Sequence, residues 1–134
     1  MTTAAPSKLD VTHAYRHLYR GLLRAVQYSA PARYVARDQL RAAFRERNAA
    51  LDREGVKRTV WFLEAAAKER GLEHKILKNL IRVRLDRAWG TRAWKRALNE
   101  TKMKPDARQL REDAMQHYNM TIAMLNKSMG LCLR

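Results

Sequence analysis

The sequence predicts an all-α protein, a small antiparallel bundle of three to four helices followed by a C-terminal helical extension. Apolar residues recur at intervals of three and four positions along most of the chain, which is the period of a helix buried on one face. The 134 residues include only 5 Gly and 3 Pro, and 46% are hydrophobic. A chain of this length can therefore fold around one modest core.

The predicted helices follow from this periodicity and from signals at their ends. Helices are expected over residues 8–29, 31–48, 52–70 and 72–88, and a last helix is expected from residue 106 onward. Pro31 is suited to a first helical turn, and Gly71 is suited to the end of the third helix. We assign residues 8–88 to the bundle and residues 89–134 to an extension made of a basic linker and the last helix.

The first two helices each combine an apolar face with a basic face. The predicted inward residues are Val11, Tyr15, Leu18, Tyr19, Leu22 and Val26 on the first helix, and Val35, Ala36, Leu40, Ala43 and Phe44 on the second. Arginines recur every four residues as Arg16, Arg20 and Arg24, and again as Arg33, Arg37, Arg41 and Arg45. Like charges at this spacing cost roughly 0.2–0.5 kcal/mol per pair, which an anionic partner would relieve. The alternative is a basic face that contacts only solvent.

The charge balance points to an acidic or phosphate-rich partner. The chain has 28 Lys and Arg against 13 Asp and Glu, which gives a formal net charge of +15. Because the excess is present in all parts of the chain, it predicts folded basic surfaces and not a single disordered arm. No apolar run is long enough to cross a bilayer, so no membrane span is expected.

Motifs for catalysis are missing from the sequence. It contains no phosphate-binding Gly-rich loop, no CxxC pair, no HExxH and no recognisable nucleophile motif. His13 and His17 are four residues apart and could share a metal, but no carboxylate or thiolate completes a ligand pattern, so we favour surface positions for them. The single Cys132 fits a reducing compartment. We expect a non-enzymatic protein with no catalytic residue, no metal and no cofactor of its own.

The tripeptide Leu18-Tyr19-Arg20 on the first helix, together with Phe44 in the basic segment 41–46 of the second, resembles the signature of the mitochondrial LYR-motif family. The resemblance implies an LYR-type helical bundle in the mitochondrial matrix. It also implies binding of mitochondrial acyl carrier protein, an acidic helical protein whose serine-linked 4′-phosphopantetheine carries a fatty acyl chain. Residues 89–134 depart from the short three-helix members of the family.

The resemblance implies which residues would bind the carrier protein and its prosthetic group. These are Leu18, Tyr19, Arg20, Arg16, Arg41, Phe44 and Arg45, and the slot for the acyl chain would include Leu22 and Leu40. Guanidinium groups bind phosphate by charge-assisted hydrogen bonds, and apolar side chains would surround the acyl chain. From the residues alone, helical spacing favours Tyr19 and Phe44 as ordinary core residues of a self-sufficient bundle.

The basic surface outside this site favours an RNA neighbourhood. Candidate contacts to RNA or to an acidic partner are Arg82, Arg84, Arg87, Trp89, Arg92, Trp94, Lys95 and Arg96. Cations bind phosphates and aromatic rings stack on bases. We therefore predict an adaptor that docks, with acyl carrier protein, on the large mitochondrial ribosomal subunit or its assembly intermediate, close to ribosomal RNA and proteins. The alternative is an assembly factor or accessory subunit of a respiratory-chain complex or of the iron-sulfur machinery, with Trp and Met as interface anchors.

Overall fold

The described part of the chain is helical. The computed structural model describes residues 5–47, 50–88, 98–99 and 101–133, and these residues contain no strand. The helices are α1 (Lys8–Ala25), α2 (Ala32–Arg45), α3 (Arg53–Lys68), α4 (Leu72–Ala88) and α5 (Pro105–Met129). The predicted all-α fold class is thereby confirmed. Among the described residues, no helix is long and apolar enough to cross a membrane.

Side-chain hydrogen bonds fix the beginnings of two bundle helices. At α1, Ser7 Oγ accepts from the Asp10 N–H at 3.2 Å, and the Asp10 carboxylate accepts from the Ser7 N–H at 3.0 Å. This reciprocal capping box satisfies two backbone donors at the helix start, and its hydrogen bonds lower the pKa of Asp10 below the ordinary value. At α3, Asp52 accepts from the Gly55 N–H at 3.1 Å. Both helices therefore start at a defined residue.

The first two helices end earlier than the sequence predicts. Helix α1 ends at Ala25 and not near residue 29, because Gln27 and Tyr28 adopt left-handed φ angles of 54° and 55° and turn the chain toward α2. Helix α2 ends at Arg45 and not near residue 48, because the next residue is extended, with φ −60° and ψ 125°. Gln27, Tyr28 and Glu46 are not glycines, so the usual sequence signal for a helix end is missing.

Helices α1 to α4 form a closed bundle in which each helix contacts two others. Helix α1 packs most extensively on α3, α4 packs on α2 and α3, and α1 lies beside α2. The close approach of α1 to α3 depends on Gly21, since a Cβ atom there would lie only 3.3 Å from Leu63 Cδ1. The bundle thereby holds the Tyr15 side of α1 next to the Phe44 side of α2.

The core draws side chains from all four bundle helices and from the C-terminal end of the described chain. The buried apolar residues are Ala14, Leu18, Ala25, Val35, Ala36, Leu40, Phe62, Leu63, Ala66, Leu77, Leu80, Ile81, Leu131 and Leu133. Phe62 and Leu63 are completely buried, at 0% exposure. Most of the predicted inward residues of α1 and α2 are buried or half-buried in this core.

Helix α5 lies on the outside of the bundle. It has no buried residue, and its apolar side chains Tyr118, Ile122 and Leu125 are only half-buried against the core. Leu110, about two turns before Tyr118, is 72% exposed. Beyond α5 the chain returns to the bundle core, so the two segments that we separated at residue 88 share one core.

Candidate functional site

Three aromatic rings join α1 to α2 where the tripeptide meets the second helix. The Tyr15 ring stacks on Tyr19, with centroids 5.9 Å apart and planes inclined by 8°. The Phe44 ring meets Tyr15 edge-on, with centroids 5.4 Å apart and planes inclined by 85°, a favoured geometry for aromatic pairs. All three rings are half-buried against the core. Tyr19 and Phe44 thus belong to one aromatic cluster, which Tyr15 connects.

Five exposed arginines flank the aromatic cluster along its two helices. This basic rim consists of Arg16, Arg20 and Arg24 on α1 and of Arg41 and Arg45 on α2. Within the part of the chain that the structure describes, none of the five forms an ion pair or a side-chain hydrogen bond. Unpaired like charges four residues apart repel one another and create a positive potential above the helices. The rim is therefore suited to bind an anionic group by charge-assisted hydrogen bonds.

The remaining arginines of the α2 series are held by their neighbours. Arg33 lies over the Tyr34 ring, 4.8 Å from its centroid, and donates a hydrogen bond to Tyr34 Oη at 2.8 Å. Arg37 lies 5.3 Å from the same ring and pairs with Asp38 at 3.1 Å. Among the described residues, Arg33 and Arg37 near the start of α2 thus have side-chain partners, whereas Arg41 and Arg45 next to Phe44 have none.

A small apolar cavity lies among the four bundle helices. Its volume is ≈ 70 Å³, and leucine and isoleucine side chains form most of its wall. Leu22 and Leu40, the predicted slot residues, line it together with Leu18 of the tripeptide. A cavity of about 150 Å³ holds one benzene ring, and this cavity is smaller, so an acyl chain fits here only after side chains move.

The wall of this cavity is completed by residues that follow α5. Helix α5 ends in a left-handed turn at Gly130, whose φ is 66°, and the chain then enters the bundle. Leu131 and Leu133 are each only 6% exposed, and Cys132 and Leu133 line the cavity. We call Leu131–Leu133 the C-terminal segment. Burying each of its leucines contributes about 1.5–3 kcal/mol.

Hydrogen bonds hold the C-terminal segment at both of its sides. The Asn126 side chain donates to the Leu133 carbonyl at 2.6 Å and accepts from the Leu133 N–H at 3.0 Å. The Cys132 N–H donates to Thr59 Oγ1 at 2.9 Å, and this buried hydroxyl donates to the Gly55 carbonyl at 2.6 Å. The segment therefore links α5 to the start of α3.

The structure describes some of the predicted RNA-contacting residues, and these lie on α4. Arg82 and Arg87 are exposed, and Arg87 donates to Met115 Sδ of α5 at 3.7 Å. Arg84 is half-buried and lines the inner cavity. Burial raises the pKa of Tyr118 on α5, and the nearby charges of Arg84 and Arg87 oppose that rise. The other predicted contacts, Trp89, Arg92, Trp94, Lys95 and Arg96, lie outside the described residues.

The candidate metal pair is not joined by further ligands in the described residues. His13 and His17 are both exposed on α1. No group of three His, Cys, Asp or Glu side chains among the described residues is close enough to hold a metal ion.

Two parts of the site were not predicted as functional. Tyr15 was assigned only to the apolar face, although its spacing of four residues from Tyr19 predicts contact between the two rings. The C-terminal segment was assigned to the extension. The available signal was Gly130, a typical helix end, followed by a pattern in which Leu131 and Leu133 share one side of an extended chain.

Comparison with known proteins finds a similar protein in fission yeast. The chain is 40% identical over 83 residues to the UPF0593 mitochondrial protein C806.05 of Schizosaccharomyces pombe. The match covers 60% of this chain and 66% of the yeast protein, just under two thirds of that relative. No protein-family model matches the chain, and no solved structure matches it significantly. The similarity is thus to a protein whose name gives a mitochondrial location and no partner.

Proposed function

We propose that this chain is a non-enzymatic mitochondrial adaptor of LYR type that binds acylated acyl carrier protein on the α1–α2 face. The observation that carries the proposal is the aromatic cluster, which joins Tyr19 to Phe44 and is flanked by five arginines that pair with none of the described residues. The mitochondrial name of the yeast relative supports the location, which we place in the matrix. The acyl chain and its 4′-phosphopantetheine come with the carrier, and the adaptor needs no cofactor of its own.

The two kinds of side chain at the site have different roles in this proposal. Arg16 and Arg20 on α1, with Arg41 and Arg45 on α2, bind the phosphate of the prosthetic group and the acidic helix of the carrier. The apolar residues next to them, Leu22 and Leu40 among them, contact the acyl chain.

In this proposal the acyl chain provides most of the binding free energy, and the arginines provide selectivity. Burying a methylene group contributes about 0.8 kcal/mol. An exposed ion pair contributes only about 0–1 kcal/mol, although complementary charge speeds association and rejects wrong partners. A carrier without an acyl chain should therefore bind weakly at the same place.

Removing two rim arginines tests the proposal. Arg20→Ala combined with Arg45→Ala should abolish co-purification of acyl carrier protein from mitochondria while the helical circular-dichroism signal stays nearly unchanged, since both side chains are exposed. A matched control, Lys68→Ala with Lys75→Ala, removes the same charge from exposed positions on α3 and α4 and should leave co-purification intact. Unchanged co-purification with the arginine variant would refute the site.

The second part of the proposal concerns the client, which is the complex on which the adaptor docks. We favour the large mitochondrial ribosomal subunit or its assembly intermediate, because the net charge of +15 exceeds what one carrier-binding face requires. One observation favours a protein client instead, such as a respiratory-chain complex. Helix α5 exposes Leu110, Met120 and Met124 by 72%, 62% and 63%, and exposed methionines are adaptable interface anchors.

A further inference from the structure

The cavity beneath the proposed carrier site is small because the chain's own C-terminal segment fills part of the same space. Leu131 and Leu133 belong to the core cluster that includes Leu18 and Leu40, and Leu133 lines the cavity together with Leu22. An acyl chain that used Leu22 and Leu40 would meet Leu133. The two occupants therefore compete for one apolar space.

The C-terminal segment can leave this space without unfolding the bundle. It is joined to the bundle by the hydrogen bond from Cys132 to Thr59, and to α5 by the Asn126 side chain and by the Leu131 N–H, which donates to the Asn126 carbonyl at 3.1 Å. Helix α5 has no buried residue of its own. Helices α1 to α4 also pack directly on one another, α1 on α2 and α3 and α4 on α2 and α3, and these contacts do not include the segment.

We propose that Leu131–Leu133 is the resident occupant of the acyl-chain slot and that a linear acyl chain displaces it. This inference rests on the proposed carrier-binding function and adds a regulatory consequence. Without an acyl chain, the segment closes the slot and completes the core. With one, the segment is released to the surface, so that the exposed segment reports whether the bound carrier is acylated.

The first test uses a carrier-free probe, dodecanoyl-pantetheine, with the full chain. Hydrogen exchange of the Cys132 and Leu133 amides follows the segment directly, because both N–H groups donate to side chains of the folded protein. We expect saturating thioester to speed their exchange at least tenfold while amides in the middle of α3 keep their protection. Pantetheine without the acyl chain should change neither.

Variants that weaken the segment should bind the probe more tightly. Leu131→Ser with Leu133→Ser removes the competing side chains, and Asn126→Ala removes the side-chain hydrogen bonds without touching the buried leucines. We expect each to bind dodecanoyl-pantetheine about tenfold more tightly. The apparent affinity equals the intrinsic affinity multiplied by the fraction of molecules whose slot is empty, and both variants raise that fraction. The control, Met124→Ser with Met129→Ser, changes exposed residues on the same helix and should bind like the unaltered chain.

The outcomes separate this inference from the carrier proposal. Thioester binding with unchanged exchange at Cys132 and Leu133 would overturn displacement, and so would the failure of the unaltered chain and both segment variants to bind the thioester. Either result leaves carrier co-purification through Arg20 and Arg45 as an independent measurement. Conversely, displacement by the thioester together with co-purification that ignores the arginine substitutions would refute the carrier site and keep the acyl slot.

Discussion

At the scale of single residues, the partial burial of Phe44 determines how much its ring contributes to the stability of the bundle. Its ring packs edge-on against Tyr15 but remains half-buried, whereas Phe62 on α3 is completely enclosed. A ring at the boundary of the core can contact both the bundle and a bound ligand. Phe44 is therefore placed to contribute to stability and, in the proposed carrier site, to ligand binding, whereas Phe62 lies only in the core.

The two phenylalanines should respond differently to truncation. Phe62→Ala leaves a cavity and should lower the free energy of unfolding by about 3–5 kcal/mol, while Phe44→Ala should lower it by roughly half as much because water already reaches the ring. Urea unfolding followed by circular dichroism measures both. Equal losses would mean that Phe44 is an ordinary core residue.

At the residue scale, helical spacing predicts the exposed basic face of α1 that carries Arg16 and Arg20. The same spacing was sufficient to predict the contact of Tyr15 with Tyr19, a prediction that we did not make. The engagement of Arg33 and Arg37 by Tyr34 could not be inferred in the same way. It depends on side-chain rotamers, which helical periodicity does not specify.

At the scale of elements, Gly130 forms the left-handed turn through which the chain leaves α5 and enters the bundle. Its φ of 66° lies in the left-handed region, and a Cβ there would approach Arg58 Nη1 to 2.6 Å. Gly130→Ala should therefore lower the free energy of unfolding by about 1–2 kcal/mol through backbone strain alone. The Cys132 and Leu133 amides should also exchange faster in this variant.

A second substitution separates strain from crowding at Gly130. Arg58→Ala removes the side chain that the new Cβ would meet, so the double variant should recover only the part of the loss that comes from this contact. Full recovery would contradict the assigned role of the left-handed backbone. Urea unfolding of the two single variants and the double variant provides the comparison.

The presence of each bundle helix could be predicted from the sequence, but the return of the chain to the bundle after α5 could not. The apolar periods of α1 to α4 fixed the helices because each needs to bury one face. The ends of α1 and α2 depend on the conformations of Gln27, Tyr28 and Glu46, which no glycine or proline signals. The burial of the C-terminal segment depends on tertiary contacts with Thr59, distant in sequence, and three residues carry too short a pattern to reveal it.

At the scale of the whole molecule, the positive charge extends well beyond the proposed carrier-binding face. The chain carries +15, and the basic rim accounts for five of its arginines. Exposed Arg82 and Arg87 lie on α4, a different helix from those that carry the rim. A charge distribution of this kind predicts that a polyanionic client binds outside the carrier interface, and its salt dependence identifies that client.

Ionic strength therefore distinguishes RNA from protein as the client. If the adaptor neutralises about six phosphates, its affinity for a large-subunit ribosomal RNA fragment should fall roughly 10³-fold between about 50 and 200 mM salt. Fluorescence anisotropy with a labelled fragment gives the slope. Arg82→Gln with Arg87→Gln should reduce that slope by about two phosphate contacts, whereas Lys68→Gln with Lys75→Gln should reduce it less. A protein client should behave differently, because apolar anchors are not screened by ions. If a mitochondrial client stays bound at high salt and is lost on Met120→Ser with Met124→Ser, the docking surface is the exposed face of α5.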